Sequence, residues 1–458
     1  MRTSFLSDDT ICAVATPSGM GAIATVRVSG PHAHDIVCSV FRYQGKPFSK
    51  EKVEGYRAYY GQIVDSDETI DESVVTFFKA PHSFTGEDAA EISVHGSVFI
   101  QQRLLELLIE KGARLAQPGE FTRRAFVNRK FDLAQAEAVA DLIASQNEAA
   151  HRVAMNQLKG GFSKELQVMR SKLLEITSLM ELELDFSEED VEFADRSRLQ
   201  TLVAETLHHI GSLTDSFRLG NAIRNGIPVA IVGETNTGKS TLLNALLGED
   251  RAIVSDIAGT TRDTIEEVMN LQGILFRFID TAGIRETSET IERIGIERTF
   301  RKINEADIVL GLIDATQDPQ QMQKAAQAIV DRVDSEHQTL LLLLNKTDLS
   351  QADMKADLSI SAKTGEGLDL LRSKLVEAAQ SLMDSQNTVL VTNVRHYEAL
   401  KHAQESLNAV QRGLDEGIPT DLVAQDLREA LYYLGSITGE ITTDEVLGSI
   451  FSRFCIGK

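Results

Sequence analysis

PVAIVGETNTGKSTLLNALLG, residues 228–248, decides how the middle of this chain folds. Pro228 to Val232 form an apolar run that reads as a buried strand. It enters Gly233-Glu-Thr-Asn-Thr-Gly-Lys-Ser240, and TLLNALLG after it favours helix. This is GxxxxGKS with a strand before it and a helix after it. The glycines let backbone N–H groups close on phosphate, and the helix N-terminus favours an anion. Lys239 is placed to reach the β and γ phosphates, and Ser240 to ligate magnesium.

Working outward, residues 226 to 380 alternate apolar runs with helical stretches. ILFRFIDTAG (274–283), DIVLGLIDA (307–315) and TLLLLLNKTD (339–348) each lead into a turn. That alternation predicts a parallel sheet with crossover helices. Asp280-Thr-Ala-Gly283 ends one strand, where Asp280 can hold a magnesium shell and the Gly283 N–H can face a γ-phosphate. Asn345-Lys-Thr-Asp348 ends another. A carboxylate there accepts both the N1–H and the exocyclic amine of guanine, donors that adenine lacks in that place. Sites of that kind discriminate by about 10⁴ or more. Ser361-Ala-Lys363, after the strand-like DLSI, supports the base. DTAG or NKTD alone could be a structural turn; in this order they specify a guanine-nucleotide site.

One position departs from Ras-like practice. The residue after DTAG, a water-orienting Gln in Ras-like proteins, is Ile284. Arg285, Glu286, Glu289 and Glu292 lie just downstream as substitutes, although charged segments of this kind are usually only solvated.

The flanks differ in texture. Residues 1–118 alternate β-branched runs such as GAIATVRVSG and VVTFFKA with turn residues, predicting a mixed α+β domain with a substantial sheet. After Pro118 no proline occurs until Pro228. Leu166, Met169, Leu173, Ile176 and Met180 follow the spacing of one helix face. Long helical patterns return after about residue 385. The expected organisation is therefore an α/β multidomain chain: residues 1–118, a helical domain in two parts (119–218 and 383–458), and a Ras-like P-loop α/β G domain (219–382) inserted between them. Two separate helical domains are the alternative.

The formal net charge of −22 excludes attraction of polyanions by net charge, so contact with nucleic acid must be local, transient or supplied by a partner. No run of about 18 apolar residues is present, which predicts no membrane span. Three scattered cysteines, Cys12, Cys38 and Cys455, make neither a disulfide framework nor a metal cluster; a cytoplasmic setting is expected. Arg123, Arg124, Arg129 and Lys130 form a basic cluster that could meet tRNA, although the first three read rather as a solvated face. The acidic ELELDFSEEDVEF reads as a solvated helix end, with repulsion of tRNA phosphate or a partner contact as the alternatives.

The chain resembles the MnmE (TrmE) family along its whole length. The resemblance is carried by ATPSGMGAIATVRVSG (15–30), SFTGEDAAEISVHG (83–96), QPGEFTRRAFVNRKFDLAQAEAVADLI (117–143), DIAGTTRD (256–263), ERIGIER (292–298) and the terminal FCIGK (454–458). It implies a homodimeric tRNA-modification GTPase. Residues 1–118 are then the tetrahydrofolate-binding and dimerisation domain. It also implies a FAD-containing partner, MnmG (GidA), in a heterotetramer. Together the two add an aminomethyl or carboxymethylaminomethyl group at C5 of the tRNA wobble uridine. The one-carbon unit comes from 5,10-methylenetetrahydrofolate, with 5-formyltetrahydrofolate as a bound analogue.

By motif match, GTP contacts fall on Asn236, Thr237, Gly238, Lys239, Ser240 and Thr241. They continue through Ser255, Asp256, Ile257, Ala258, Gly259, Thr260 and Thr261, then Asp280, Thr281, Ala282 and Gly283. Asn345, Lys346, Asp348, Ser361, Ala362 and Lys363 complete the set. The resemblance implies potassium on Asn236, Ser255, Ile257 and Thr260, magnesium on Ser240 and Thr261, and Glu292 as the catalytic, water-positioning glutamate. It implies folate contacts from Arg27, Glu91, Lys130 and Lys458. The family loop usually has Pro before this Asn; here it is Thr235, which does not stiffen the loop as proline would.

CIGK at the terminus has a C-a-a-X outline, but Gly457 is not aliphatic and Lys458 is not a usual last residue, so prenylation is not expected. Ile450, Phe451, Phe454 and Ile456 predict a tail that packs. In the family the tail runs to the folate pocket, which makes Cys455 a candidate for the modification chemistry, with a packed structural thiol as the alternative. The competing function is a regulatory GTPase switch in ribosome assembly. It calls for a basic RNA-binding appendage, which the acidic chain lacks.

Overall fold

A computed structural model of the chain describes residues 9–185, 196–250, 267–279, 303, 305–335, 337–350, 354–383, 389–452, 454, 456 and 457. By contact density the chain forms two compact units, Met1–Ala140 with Gln157–Ser178 and Leu427–Lys458, and Asp141–Asn156 with Leu179–Asp426.

The first unit is built on an eight-stranded sheet. Its strands are β1 (Thr10–Val14), β2 (Ile23–Ser29), β3 (Phe41–Tyr43), β4 (Lys46–Pro47), β5 (Arg57–Asp65), β6 (Glu68–Phe78), β7 (Ala89–His95) and β8 (Ala113–Leu115). They run in the order β4-β3-β5-β6-β7-β2-β1-β8. Pairing is antiparallel except between β1 and β8. Alternation decides the faces: Ala24, Val26 and Val28 of β2 are buried, while Thr25 and Arg27 point to the other side. The buried face packs on α1 (Ala33–Val40) and α2 (Val98–Glu110) through Val37, Val40, Leu104, Leu107 and Leu108. The opposite face carries Arg27, set beside Glu91 of β7 by register.

Helix α3 (Glu120–Val127) follows the sheet, then α4 (Leu133–Ala144), α5 (Glu148–Leu158) and α6 (Gly161–Asp185). Leu166, Met169, Leu173, Ile176 and Met180 are all buried on α6, as their spacing predicts. Arg124 departs from the solvated reading. It is 6 % exposed and held among the carboxylates of Glu120, one turn back, and of the sequence-distant Asp9 and Glu87.

In the second unit α7 (Arg196–Asp215) and α8 (Phe217–Asn225) lead into a six-stranded sheet. Its strands are β9 (Ile227–Gly233), β10 (Glu267–Leu271), β11 (Ile274–Phe278), β12 (Ile308–Asp314), β13 (Thr339–Asn345) and β14 (Leu358–Ser359), with α9 (Lys239–Asp250) following β9. The order is β10-β11-β9-β12-β13-β14, parallel except for β10 against β11. Strands β9 and β12 are buried through nearly their full length, as continuous apolar runs covered on both faces should be. One face packs on α9 and α11 (Leu368–Met383) through Leu242, Leu246, Leu371 and Leu375. The other packs on α10 (Pro319–Val330) through Met322, Ala326 and Ile329. Pro319 at the first helical position and Asp318 accepting from the Gln320 N–H start α10.

The chain enters this α/β body through α8 and leaves it before α12 (Val394–Glu416), which packs along α7. Entry and exit are held side by side. The Val391 N–H donates to Ser216 Oγ at 3.1 Å, Phe217 stacks on Tyr397 at 4.4 Å, and Gly220 lies where a Cβ would overlap the Val391 carbonyl. The chain continues through α13 (Thr420–Thr438) and α14 (Asp444–Phe451). No described helix is long and apolar enough to cross a membrane.

Candidate functional site

The carboxyl ends of β9, β12 and β13 meet at one edge of the second sheet, where ligands of open α/β sheets bind. From β9 comes the glycine loop. Gly238 has φ +97°, and a Cβ there would overlap Asn345 Nδ2; a Cβ on Gly233 would stand 2.6 Å from the Leu312 carbonyl. Only glycine lets the loop lie this close to its neighbours. Lys239 Nζ donates to the Gly233 and Glu234 carbonyls at 2.9 and 2.6 Å, holding the ammonium over the loop. Asn236 is exposed at the loop tip in the left-handed region, φ +63°, and Thr235 beside it is exposed.

Asn345 joins the loop to the base end. Its Nδ2 donates to the Thr237 carbonyl at 2.8 Å, and its Oδ1 accepts the Ala362 N–H at 3.0 Å. At 2 % exposure it uses a buried amide to fix three segments in one geometry. Ser361, fully buried, donates its hydroxyl to Asp348 Oδ1 at 2.7 Å and so aims an otherwise exposed carboxylate. Lys346 has φ +68° and pairs with Asp314 Oδ2 at 2.6 Å. Burial pushes the Asp314 carboxyl up, but hydrogen bonds from Lys346 and Thr316 outweigh it and hold the group below its ordinary value. Asp314 is a structural member of the site that the sequence reading passed over. It stood in view at the end of the strand DIVLGLIDA.

The loop and base-end geometry fits a guanine nucleotide. The Asn236 amide and the Ser240 hydroxyl are oxygen donors suited to hard cations. Thr241 is exposed in the first turn of α9, and Lys363 is exposed beside Ala362. Ser255, Asp256, Ile257, Ala258, Gly259, Thr260, Thr261, Asp280, Thr281, Ala282, Gly283 and Glu292 lie outside the described residues, as do Cys455 and Lys458.

In the first unit a second polar cluster forms around Arg27. Its Nε and Nη2 both donate to Glu91 Oε1, at 3.0 and 2.8 Å, and Nη1 reaches the Gly457 carbonyl at 3.4 Å. Phe84 and Phe121 flank the guanidinium, with ring centroids 5.3 and 5.7 Å from its central carbon. Lys130 Nζ donates to the Pro81 carbonyl at 3.1 Å. Arg27 and Glu91 are thus brought together, whereas Lys130 is anchored on a neighbouring turn.

The tail reaches this cluster. Gly457 has φ +94°, and a Cβ there would overlap the Val14 carbonyl. Phe451 is buried and a Cβ on Gly119 would stand 2.7 Å from its carbonyl. Ile456 does not share the packing expected of it and is 60 % exposed. Burial pushes the thiols of Cys12 and Cys38 up to about 11, so neither is a reactive thiolate near neutral pH.

Comparison with known proteins agrees with this reading. Residues 10–130 match the family described as "GTP-binding protein TrmE N-terminus", and residues 133–455 match "MnmE helical domain". The chain is 53 % identical to the "tRNA modification GTPase MnmE" of Bacteroides thetaiotaomicron, covering 99 % of this chain and all of that one. It is 51 % identical to the protein of the same name in Porphyromonas gingivalis, covering 98 % of each. A solved structure of Era with MgGDPNP and 16S ribosomal RNA nucleotides overlaps 39 % of this chain and 66 % of that one, at 26 % identity. Its TM-score of 0.26 is too low to bear on the fold. With both family matches and full-length identity near one half, the chain belongs to the MnmE family of tRNA modification GTPases.

Proposed function

We propose that this chain hydrolyses GTP to drive modification of the wobble uridine of certain tRNAs. It acts as a homodimer in the cytoplasm, with the FAD-containing MnmG (GidA) as partner in a heterotetramer. The group added at C5 is aminomethyl or carboxymethylaminomethyl. The one-carbon unit comes from 5,10-methylenetetrahydrofolate.

In this reading Asp348 pairs with the guanine N1–H and amine, supported by Ser361, Ala362 and Lys363. Asn345 and Lys346 hold the base loop in register. Lys239 and the backbone of Asn236–Thr241 take the phosphates. Ser240 and Thr261 hold magnesium, with Asp280 in its outer shell. Asn236 and oxygens of Ser255, Ile257 and Thr260 hold a potassium ion, which when bound supplies positive charge at the β–γ bridge. Glu292 positions water. Arg27, Glu91, Lys130 and Lys458 hold the folate, and Cys455 assists the modification chemistry. The domain plan is the four-span one: a folate and dimerisation domain to residue 118, and a G domain over 219–382 inserted between helical parts 119–218 and 383–458.

The observation that most supports the nucleotide half is Asn345. One buried amide ties the phosphate loop to the base-reading loop. The potassium assignment is tested by GTP hydrolysis in potassium against sodium at equal ionic strength. Hydrolysis should be many-fold faster in potassium, and equal rates would remove the assignment. The folate assignment is tested by supplying methylenetetrahydrofolate labelled at its one-carbon unit to the chain, the flavoprotein and tRNA. Label is expected in the modified uridine.

A further inference from the structure

A partly buried ionic cluster around α3 is used by nothing in the nucleotide or folate assignments. Arg124, on α3, is its centre. Nη2 donates to Asp9 Oδ1 at 2.7 Å and to Glu120 Oε1 at 3.2 Å, while Nη1 donates to the Asp9 carbonyl at 3.0 Å and to both Glu87 oxygens at 3.2 Å. Arg114 of β8 grips Glu120 through two nitrogens, at 2.6 and 2.8 Å, and also reaches Asp9. Arg123 stands 3.7 Å from Glu120. Three arginines thus face Asp9, Glu87 and Glu120, so the cluster is balanced in charge. Arg124 and Glu120 are buried, and burying an ion pair only to stabilise a fold is a weak return, because an apolar core of equal volume does as well. Such a cluster calls for a geometric purpose.

The purpose follows from what the gripped segments carry. Glu87 belongs to the turn 83–88. There Ser29 Oγ donates to Glu87 Oε2 at 2.7 Å, Ser83 Oγ donates to the Glu87 carbonyl at 2.6 Å, and Asn128 Nδ2 donates to the Thr85 carbonyl at 2.7 Å. That turn presents Phe84. The helix that bears Arg124 presents Phe121. These are the two rings flanking the Arg27 guanidinium, and they share one apolar cluster with Ile11 and Ala13. Arg124 is therefore the charged tie, beside the Asn128 amide, between the two segments that form the aromatic walls around Arg27.

We propose that Arg124 is a positioning residue for the folate site, acting through Phe84 and Phe121 on the Arg27–Glu91 pair. The inference rests on the folate reading of that pair. Lysine at this position keeps the charge but not the planar fork that reaches three acidic side chains at once. Phe84→Leu keeps an apolar side chain but removes the ring face that the guanidinium meets.

The test is a double-mutant cycle on the full chain, with 5-formyltetrahydrofolate titrated calorimetrically against wild type, Arg124→Lys, Phe84→Leu and the double variant. Thermal melting and GTP affinity are read on the same samples. Each single variant is expected to bind the folate about tenfold more weakly, and the double variant no more than a few-fold weaker than either, because both break one linkage. Should Arg124→Lys not fold, Glu87→Gln takes its place in the cycle. Wild-type affinity in the Arg124→Lys protein overturns the proposal while leaving the folate site intact. Effects that multiply to about a hundredfold overturn it as well, since they mean that Arg124 does not act through Phe84. A wild-type chain that binds no folate removes the folate reading, and the proposal with it.

Discussion

The nucleotide site and the Arg27 site are built by opposite strategies. In the first, each working group sits on a short contiguous string at the end of a parallel strand, and one amide, Asn345, ties the strings together. In the second, Arg27, Glu91, Phe84, Phe121 and Gly457 come from five separate places in the chain and are joined by cross-strand register and an ionic cluster around the buried Arg124. Strand ends deliver loops to one edge wherever a parallel sheet forms, so a site there needs only correct strings. A site on a sheet face needs the whole unit to be folded in register. The two should therefore fail differently.

The largest expected effect is at Asp348. In the proposed role Asp348 accepts from two guanine donors, so Asp348→Asn should lower GTP affinity about a hundredfold or more in a fluorescent-nucleotide titration. Folate binding should be unchanged, and a parallel loss of both would erase the contrast between the sites. Glu120→Ala comes next. It leaves the buried Arg124 and the half-exposed Arg114 short of a carboxylate and should destabilise the first unit by about 3 kcal/mol, read as an earlier unfolding transition in calorimetry.

An acid titration sharpens the same point. Burial pushes the Glu120 carboxyl up, but hydrogen bonds from Arg114 and the Gln117 N–H hold it below the ordinary value. Asp314 is held low in the same sense. A carboxyl depressed by folding contributes stability above its unfolded value, and that contribution is lost as pH falls through the folded one. Both units should therefore loosen only below the ordinary carboxylate range near 4, with no step between pH 5 and 8 from these groups. Glu120→Gln should flatten the acid limb of the first unit, whereas an acid limb that this change leaves intact would refute the assignment. The smallest effect concerns thiols. At neutral pH a maleimide reagent should label neither Cys12 nor Cys38 in the native chain, and rapid labelling of either would contradict its burial.

The difference in construction also explains what was legible in the sequence. GETNTGKS and NKTD announced themselves because backbone approach and base pairing demand particular residues at fixed short spacing. The helix face of Leu166, Met169 and Leu173 was legible from periodicity alone. Asp314 was missed because its strand reads as plain core, and its role appears only once Lys346 is brought beside it. Arg124 was misread as solvated, since RRAF gives no sign that Asp9 and Glu87 converge on one of its arginines. Arg27 and Glu91 were named through family resemblance, because cross-strand register is not written locally.

The most direct test of the central claim is made in the host. With this gene deleted, total tRNA is digested and its nucleosides are separated by mass spectrometry. The account predicts that the C5-aminomethyl-type wobble uridines disappear and return with the wild-type gene, but not with one encoding Asp348→Asn. Modified uridines that persist at full level in the deletion strain would contradict it and bring the regulatory-switch reading forward.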